Sequence, residues 1–412
     1  MSQTTPDRSA GSRPRVVLGV AGGIAAYKAC ELLRQLTESG HQVRVVPTAA
    51  ALSFVGEATW AALSGQPVST DVWTDAHEVP HVRLGREADL VVVAPATADL
   101  LARAAAGLAD DLLTNVLLTA RCPILFAPAM HTEMWEHPAT QANVATLRSR
   151  GIVVLEPAVG RLTGADTGKG RLPEPAEIFA AAVRLLRRGA DAAPDLVGRH
   201  VVVTAGGTRE PIDPVRFIGN RSSGKQGYAI ARAAVARGAK VTLVAANVGL
   251  PDPAGADLVR VETTEQLRQA VLAAASGADA VIMAAAPADF RPAEFVASKI
   301  KKVDGVAPTL ELVTNPDIAA ELGAAKPAGQ VLVAFAAETA DLERAVAAGQ
   351  EKLLRKRADL IVVNEVGVDK TFGAEHNQAV ILGADGIRYT LPELSKDDLA
   401  DRILDRVVDR FA

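Results

Sequence analysis

The chain has 412 residues, 49% of them hydrophobic and 22% charged, which is typical of a globular protein of two or three domains. Its net charge of -4 argues against binding nucleic acid through general neutralisation of phosphates. Its two cysteines, Cys30 and Cys122, exclude a disulfide scaffold and a cysteine-rich zinc site, and they favour a reducing, cytoplasmic location.

Residues 1–14 are polar and contain Pro, Gly and Ser but no apolar stretch. They predict a disordered tail rather than a signal peptide. The longest apolar runs, such as Asp89–Ala96 and Ala278–Pro287, have the length of strands. We therefore expect no membrane-spanning segment.

Val-rich segments alternate with Ala- and Leu-rich segments along the first half. The Val-rich segments are apolar throughout, which is typical of parallel strands buried on both faces. They comprise Arg15–Val20, Gln42–Pro47, Asp89–Ala96, Pro123–Pro128 and Gly151–Glu156. Ile24–Thr37 has the apolar spacing of a helix, and Gly40 follows its end. Strands separated by helices predict βαβ units and a parallel sheet.

The pattern restarts after residues 187–199, a charged stretch with Pro and Gly that suits a domain boundary. The predicted strands of the second half are His200–Gly207, Ala239–Ala245, Asp279–Ala285, Gln330–Ala336 and Asp359–Asn364. Ala379–Gly383 and Ile387–Leu391 predict a small hairpin. The expected fold class is α/β, with two tandem doubly wound, mostly parallel-sheet, Rossmann-like domains over residues 15–186 and 200–412.

Each half opens with a strand that runs into Ala-Gly-Gly, at residues 21–23 and 205–207. Such an opening brings backbone N–H groups and a helix N-terminus to the end of a strand, where phosphate binds well. The spacing is not that of a dinucleotide fingerprint, so a plain tight turn is an equal alternative. Gly219–Lys225 has P-loop spacing, but Gln226 stands where Ser or Thr is required, so we reject a Walker A motif.

Four motifs mark the loops of the first half. They are Gly22–Lys28 (GGIAAYK), His81 ahead of Leu84-Gly85, Ala94–Leu100 (APATADL) and Pro128–Trp135 (PAMHTEMW). Together they resemble the homo-oligomeric, flavin-containing cysteine decarboxylases, most of all phosphopantothenoylcysteine decarboxylase. The resemblance implies a flavodoxin-like domain that uses FMN to oxidise a thiol to a thioaldehyde, which then holds the electrons left by CO2.

The resemblance also implies roles for single residues. His81 corresponds to the catalytic histidine, a general base toward the substrate thiol, although a histidine in such a loop is otherwise of no consequence. The positions that correspond to FMN contacts are Gly22, Gly23, Ile24, Thr48, Thr97, Ala98, Asp99, Leu100 and Ala129.

Two positions depart from the family pattern. His131 stands where the family has an Asn that binds the substrate carboxylate; an imidazole can donate the same hydrogen bond, or the function has moved elsewhere. The flap, expected at Arg161–Leu172, has no cysteine to protonate the product, and Thr163 or Gly164 occupies its place. The proton donor is left open between Asp166, a water and another group.

The second half carries a longer ordered series of motifs. They are Thr204–Asp213 (TAGGTREPID), Val215–Gly227 (VRFIGNRSSGKQG), Ala284–Phe290 (AAAPADF), Lys299–Lys302 (KIKK), Asn315–Ile318 (NPDI) and Phe335–Thr339 (FAAET). The series resembles phosphopantothenate–cysteine ligase in its bacterial, CTP-dependent form. The resemblance implies an acyl-cytidylate intermediate that the cysteine amine attacks, with Mg²⁺ and lysines offsetting the triphosphate charge.

By this resemblance Asn220 handles the carboxylate, Arg216 is a further candidate beside it, and Lys299 is the essential lysine. Without the other motifs, Lys299–Lys302 would be a solvated basic turn. Lys352 and Lys356 share one helix face and suit a phosphate, with a solvated face as the alternative. The positions that correspond to nucleotide contacts are Ala284, Ala285, Ala286, Asp289, Lys299, Asn315, Pro316, Asp317, Ile318, Phe335, Lys352 and Lys356. No metal ligands are predicted.

The two implied reactions are consecutive, so the sequence predicts a bifunctional enzyme of coenzyme A biosynthesis. Its partners would be 4′-phosphopantothenate, cysteine and CTP, with no nucleic acid and no membrane. The family also implies homo-oligomers, with decarboxylase trimers and ligase dimers. Two alternatives stay open: another flavoenzyme of this fold, such as a peptidyl-cysteine decarboxylase or a flavin prenyltransferase, and a non-catalytic flavin-binding regulatory subunit.

Overall fold

A computed structural model of the chain describes residues 13–68, 80–162, 166–189, 194–301, 309–338, 342–365 and 376–411. The chain divides into two compact units, residues 1–194 and 195–412. The division falls within the stretch 187–199. The predicted bounds of the two functional domains, residues 15–186 and 200–412, stay a proposal.

Within the described residues of the first unit, five strands form one parallel sheet in the order β2-β1-β3-β4-β5. The strands are β1 (Arg15–Val20), β2 (Gln42–Pro47), β3 (Leu90–Ala96), β4 (Ile124–Pro128) and β5 (Val153–Val154). A separate antiparallel hairpin consists of β6 (Ala158–Arg161) and β7 (Thr167–Arg171).

Helices cover both faces of this sheet. They are α1 (Ala26–Glu38), α2 (Glu57–Ser64), α3 (Pro80–Glu87), α4 (Ala98–Ala106), α5 (Leu112–Thr119), α6 (Thr132–Glu136), α7 (Pro138–Ser149) and α8 (Pro175–Arg188). Alternate residues of β1 belong to different cores, with Leu18 in one cluster and Val17 in the other. The sheet is thus buried on both faces, as the continuous apolar runs predict.

The second unit has a larger sheet. Its strands within the described residues lie in the order β12-β11-β8-β13-β16-β17-β18-β19, parallel as far as β17 and antiparallel after it. They are β8 (His200–Gly206), β11 (Lys240–Ala246), β12 (Ala256–Val261), β13 (Ala280–Met283), β16 (Val331–Glu338), β17 (Leu360–Glu365), β18 (His376–Gly383) and β19 (Arg388–Ser395). The predicted C-terminal hairpin is confirmed, and it extends the main sheet.

Helices and two small hairpins complete this unit. The helices are α9 (Lys225–Ala236), α10 (Thr264–Ala275), α11 (Ile318–Ala325), α12 (Leu342–Arg355) and α13 (Lys396–Val408). The hairpins pair β9 (Arg209–Pro211) with β10 (Phe217–Gly219), and β14 (Phe290–Pro292) with β15 (Leu312–Thr314). Two buried clusters lie on opposite faces of the sheet. The predicted fold class, two doubly wound α/β domains in tandem, is confirmed.

Some elements differ from the sequence prediction. The strand expected over Gly151–Glu156 is only Val153–Val154, at the sheet edge. Strand β12 was not predicted because its charged residues, such as Asp257 and Arg260, alternate with apolar ones on an exposed edge. Hairpin β6–β7 was missed because its strands, AVGR and TGKGR, have no apolar alternation.

One buried cation ties the start of the second unit to its last helix. The Arg237 side chain is 2% exposed and lies 2.5 Å from Asp195 and 2.9 Å from Asp405. Arg237→Ala removes the cation from a cluster of carboxylates, and we expect it to lower the free energy of unfolding by about 3–5 kcal/mol. Hydrogen–deuterium exchange of α9 and α13 measures this loss. Arg232→Ala, on the same helix but in a more exposed pair with Asp397, is the control and should cost under about 1 kcal/mol.

Candidate functional site

The predicted flavin loops lie side by side at the carboxyl edge of the first sheet. The N–H of Ala21, after β1, donates to Pro95 O over 3.1 Å, and the N–H of Ala129, after β4, donates to Ala96 O over 3.0 Å. The loops after β1, β3 and β4 are therefore one surface. It carries Gly22–Ile24, Thr97–Leu100 and Ala129.

The loop after β2 joins the same surface. The Thr48 N–H donates to Val20 O over 2.9 Å. A Cβ on Gly22 would lie 2.4 Å from Ala50 Cβ, so that glycine permits close packing of the two loops, whereas a Cβ on Gly23 would meet Thr97 Cγ2 only at 4.0 Å. Space above Gly23 and an Ile24 that is 66% exposed leave an apolar, accessible platform.

Three further predicted flavin contacts lie at the start of helix α4. Thr97 caps α4, since its Oγ1 accepts the Leu100 N–H over 3.3 Å. The Leu100 side chain is buried in the core. Asp99 projects outward, 3.8 Å from Arg103. The first turn of α4 is thus firmly held at this edge, where helix N-termini favour anions.

His131 lies on the same edge, directly after β4, where it begins α6. Its Nδ1 lies 3.4 Å from Asp166 Oδ2, on the flap side of hairpin β6–β7. The predicted flap positions Thr163 and Gly164 lie outside the described residues. The structure therefore brings together one altered motif position and one of the candidate proton donors.

His81 lies elsewhere. Leu113, at the start of α5, packs on Gly19 near the carboxyl end of β1, and α5 runs from there toward the opposite edge. Thr119 ends α5, and its Oγ1 donates to His81 O over 2.9 Å. That places the His81 backbone about 9 Å below the level of Leu113. The Nδ1 atom of His81 is buried without a hydrogen-bond partner in the described part of the chain.

The predicted ligase residues line one cavity of about 610 Å³ at the carboxyl edge of the second sheet. Asn220 contributes to its wall. So do all the predicted nucleotide contacts except Lys299, namely Ala284, Ala285, Ala286, Asp289, Asn315, Pro316, Asp317, Ile318, Phe335, Lys352 and Lys356.

The cavity wall is held by hydrogen bonds between its loops. Asn220 Nδ2 donates to Pro287 O over 2.8 Å, and Asn315 Nδ2 donates to Ala288 O over 2.8 Å. The Ala285 and Ala286 N–H groups donate to Thr204 Oγ1 and Gly206 O. These hydrogen bonds fix the Ala284–Ala288 segment against the neighbouring loops of the cavity.

The cavity carries an excess of positive charge. Among its described lining residues the cations are Lys225, Lys352, Arg355, Lys356 and Lys396, and the carboxylates are Asp289 and Asp317. Lys356 Nζ contacts both carboxylate oxygens of Asp317, at 2.6 and 2.7 Å. Burial acts to raise the pKa of Asp317, but the Lys356 contact and the Ala320 N–H outweigh it and lower that pKa. Such a wall suits a polyphosphate.

Lys299 and Arg216 do not line the cavity, and they lie on two segments that contact each other. Arg216 donates to Ile300 O over 2.8 Å. Asp213 accepts from the N–H groups of Val215 and Arg216 at 2.8 Å and of Ile300 at 3.2 Å. Burial acts to raise the Asp213 pKa, but these N–H donors outweigh it and lower that pKa. Arg216 and Asp213 thus fix the segment that carries Lys299.

Two family models match the chain. Residues 4–187 match the family described as Flavoprotein, and residues 196–411 match DNA/pantothenate metabolism flavoprotein C-terminal domain. The Coenzyme A biosynthesis bifunctional protein CoaBC of Mycolicibacterium smegmatis is 60% identical over 404 residues, which cover 96% of this chain and 97% of that protein. The chain belongs to the family of bifunctional coenzyme A biosynthesis proteins.

Further relatives match in the same way. The CoaBC protein of Bacillus subtilis is 43% identical over 396 residues, which cover 95% of this chain and 96% of that protein. The crystal structure of the C-terminal domain of a CoaBC protein is 36% identical, covers 52% of this chain and 97% of its own, and has a TM-score of 0.44. The predicted family and the predicted bifunctional enzyme are confirmed. The near full-length matches favour this interpretation over a single flavoenzyme or a regulatory subunit.

Sequence reasoning missed several residues of the second site. Ser222, Ser223 and Gln226 line the cavity within a motif that was recognised but not assigned. Asn364 and Lys396 line it as well, although no motif marked them. The side-chain oxygens of Gln226 and Asn364 are buried without a hydrogen-bond partner in the described chain.

Within the described residues, no group of three or more His, Cys, Asp or Glu side chains is arranged to hold a metal ion. No helix there is both long and apolar enough to cross a membrane. The rejected P-loop fits the structure poorly too, since the strand before it, β10, belongs to a two-stranded hairpin.

Proposed function

We propose that the second unit joins cysteine to 4′-phosphopantothenate at the expense of CTP, and that the first unit uses FMN to decarboxylate the product to 4′-phosphopantetheine. The observation that carries this proposal is the single cavity that gathers Asn220 with eleven of the predicted nucleotide contacts. The match to bifunctional relatives over nearly the whole chain supports the presence of both activities in one chain.

In the ligase unit the carboxylate attacks the α-phosphate of CTP, forming an acyl-cytidylate and releasing pyrophosphate. The cysteine amine then attacks the acyl carbon and displaces CMP. Carbonyl oxygens near Ala284 accept from the amine of the base, and the cationic wall holds the triphosphate. Mg²⁺ would bind mainly to the phosphates, with few protein ligands. Asn220 would orient the carboxylate, and Lys299 would stabilise charge on the transferring phosphate.

In the decarboxylase unit FMN fits the surface formed by the loops after β1 to β4. The glycines leave room for a planar ring, Ile24 offers an apolar contact, and Thr48 and the start of α4 suit the phosphate. When bound, the flavin supplies the reversible oxidation of the thiol. His81 would take the thiol proton, and His131 would hold the substrate at the same edge as the flavin.

We propose that this site forms between subunits of a homo-oligomer. The described hydrogen bond of His81 is with Thr119 at the end of α5, whereas the glycine loop contacts the loops after β2 and β3. Leu118, next to the Thr119 that contacts His81, is 56% exposed, and Tyr27 beside the glycine loop is 60% exposed. Exposed apolar side chains at both places suit a subunit contact. The trimers and dimers implied by the family stay predictions.

We also propose that the enzyme works in the cytoplasm on small molecules alone. Cys30 and Cys122 are both free thiols. Thiols stay reduced in that compartment.

The direct experiment supplies 4′-phosphopantothenate, cysteine, CTP and Mg²⁺ to the purified protein, after its flavin spectrum is recorded. The proposal predicts pyrophosphate, CMP, CO2 and 4′-phosphopantetheine. Absence of pyrophosphate with every nucleoside triphosphate would refute the ligase half, and a protein that never holds flavin would refute the other half.

Asp213→Ala is expected to impair ligation selectively. It removes the acceptor for three backbone N–H groups and frees the loop that carries Lys299. Misplacement of a catalytic group by about 1 Å costs on the order of 10²-fold in rate. Pyrophosphate release measures this loss, and decarboxylation of supplied 4′-phosphopantothenoylcysteine should stay unchanged.

The pH dependence of this anchor follows from the lowered pKa. An ionised Asp213 holds the loop at every pH above its ordinary value of 3.8, and the contribution is lost only as the pH falls through the lowered pKa. Hydrogen–deuterium exchange of residues 296–301 should therefore be insensitive to the state of this carboxyl between about pH 5 and 8. Faster exchange in Asp213→Ala at pH 7 would confirm the anchor, and equal exchange would refute it.

A further inference from the structure

We propose that His131, oriented by Asp166, is the acid that protonates the substrate carbon after CO2 has left. This inference rests on the proposed decarboxylase function. It names a donor for a step that any such reaction needs, since each CO2 lost must be replaced by one proton.

The pair is built into the fold. His131 precedes the first turn of α6, and its side chain makes no capping hydrogen bond. The ring can therefore contact a substrate. Nδ1 lies 3.4 Å from Asp166 Oδ2. A carboxylate oxygen at this distance orients the ring. Nε2 is then the ring nitrogen that can reach a substrate.

The hairpin that carries Asp166 is fixed against the His131 segment. The Met130 N–H donates to Gly170 O over 2.9 Å. A Cβ on Gly170 would lie 2.2 Å from Met130 O, so only glycine permits this approach. Lys169 on the same strand lies 6.0 Å from the centre of the buried Trp135 ring and 2.7 Å from Glu156. Strand β7, which begins directly after Asp166, is thus held against the segment that carries His131.

Neither thiol of the chain suits the task. Cys122 lies just before β4, at the edge opposite His131, and burial raises its pKa to about 11. Cys30 lies within α1, and burial raises its pKa too. Residues 156–174, which include the whole hairpin, contain no cysteine. His131 and Asp166 stand 46% and 62% exposed, so a substrate can reach them.

The step balances as follows. Loss of CO2 from the thioaldehyde leaves an electron pair, which is delocalised as an enethiolate. The N–H bond of the His131 imidazolium breaks, and the proton forms a C–H bond at the carbon that held the carboxylate, which regenerates a thioaldehyde and leaves a neutral imidazole. When bound, the reduced flavin of the proposed function would supply the hydride for the carbon that bears sulfur. Solvent reprotonates His131.

The test separates CO2 release from flavin re-oxidation in single turnovers without oxygen, with flavin absorbance and product mass as readouts. His131→Asn keeps a hydrogen-bond donor and a good helix cap. It should still release CO2, yet re-oxidise its flavin about 10²-fold more slowly than the wild type and accumulate the enethiol. Asp166→Asn should slow re-oxidation about tenfold, and Asp166→Glu should restore it. His137→Asn, at the cap of the next helix, is the matched control and should behave as wild type.

Re-oxidation at the wild-type rate in His131→Asn would overturn the inference. Loss of CO2 release together with re-oxidation would also overturn it, because His131 would then act in binding alone. A wild-type enzyme whose flavin is never reduced by 4′-phosphopantothenoylcysteine would instead refute the proposed function.

Discussion

Replacing His81 with Asn is expected to slow CO2 release by about 10²- to 10⁴-fold, the usual contribution of a general base. Ligation should continue, so 4′-phosphopantothenoylcysteine accumulates and is detected by mass spectrometry. His41→Asn is a matched control in the same unit, because His41 lies just before β2, at the sheet edge opposite the flavin loops. There its ring contacts Ser39 Oγ at 2.8 Å, Leu36 O and the Phe179 ring. Normal CO2 release by the His81 variant would show that another group is the base.

The same variant tests whether the decarboxylase site spans two subunits. Gly23→Leu places a side chain above the glycine loop, where the new Cβ would meet Thr97 Cγ2 at 4.0 Å, an ordinary van der Waals contact, and the variant should block flavin binding. If the proposed homo-oligomer forms, co-expressed His81→Asn and Gly23→Leu chains would assemble together, and an intact His81 of one chain would meet an intact glycine loop of another. Recovery of activity in the mixture would support the intersubunit site, and activity no higher than in either variant alone would contradict it.

Replacing Lys299 with Gln is expected to lower pyrophosphate release by about 10²- to 10³-fold, as loss of one charge that stabilises a transition state does. The flavin spectrum and decarboxylation of supplied 4′-phosphopantothenoylcysteine should stay unchanged. Lys301→Gln, two residues away in the same exposed segment, is the control and should retain most of the activity. Loss of both activities in the Lys299 variant would indicate misfolding. An unchanged rate of pyrophosphate release would show that Lys299 takes no part in the reaction.

Sequence reasoning succeeded where side chains repeat a simple physical rule. Strands β1 and β2 are buried on both faces, so an unbroken apolar run marks their bounds at Arg15–Val20 and Gln42–Pro47. It missed the strand Ala256–Val261, because an edge strand is partly exposed and its residues do not form an unbroken apolar run. The flap hairpin Ala158–Arg171 escaped it as well, because glycines and charges form its strands.

The candidate sites show the same limit. Most residues of the ligase cavity stand in contiguous motifs, and their gathering follows from the meeting of strand ends at one edge of a parallel sheet. Asn364 and Lys396 join them only through the tertiary fold. The anchoring of the Lys299 loop by Asp213 and Arg216 spans more than eighty residues of sequence, so no local pattern reveals it.

We propose that one chain carries out ligation and then decarboxylation. The most direct measurement follows pyrophosphate, CMP, CO2 and 4′-phosphopantetheine in one vessel, starting from 4′-phosphopantothenate, cysteine and CTP. We expect the four products to form in equal amounts. Pyrophosphate should appear before CO2, and 4′-phosphopantothenoylcysteine should be the transient intermediate between them. CO2 without pyrophosphate, or pyrophosphate with no CO2 even when 4′-phosphopantothenoylcysteine is supplied, would contradict it.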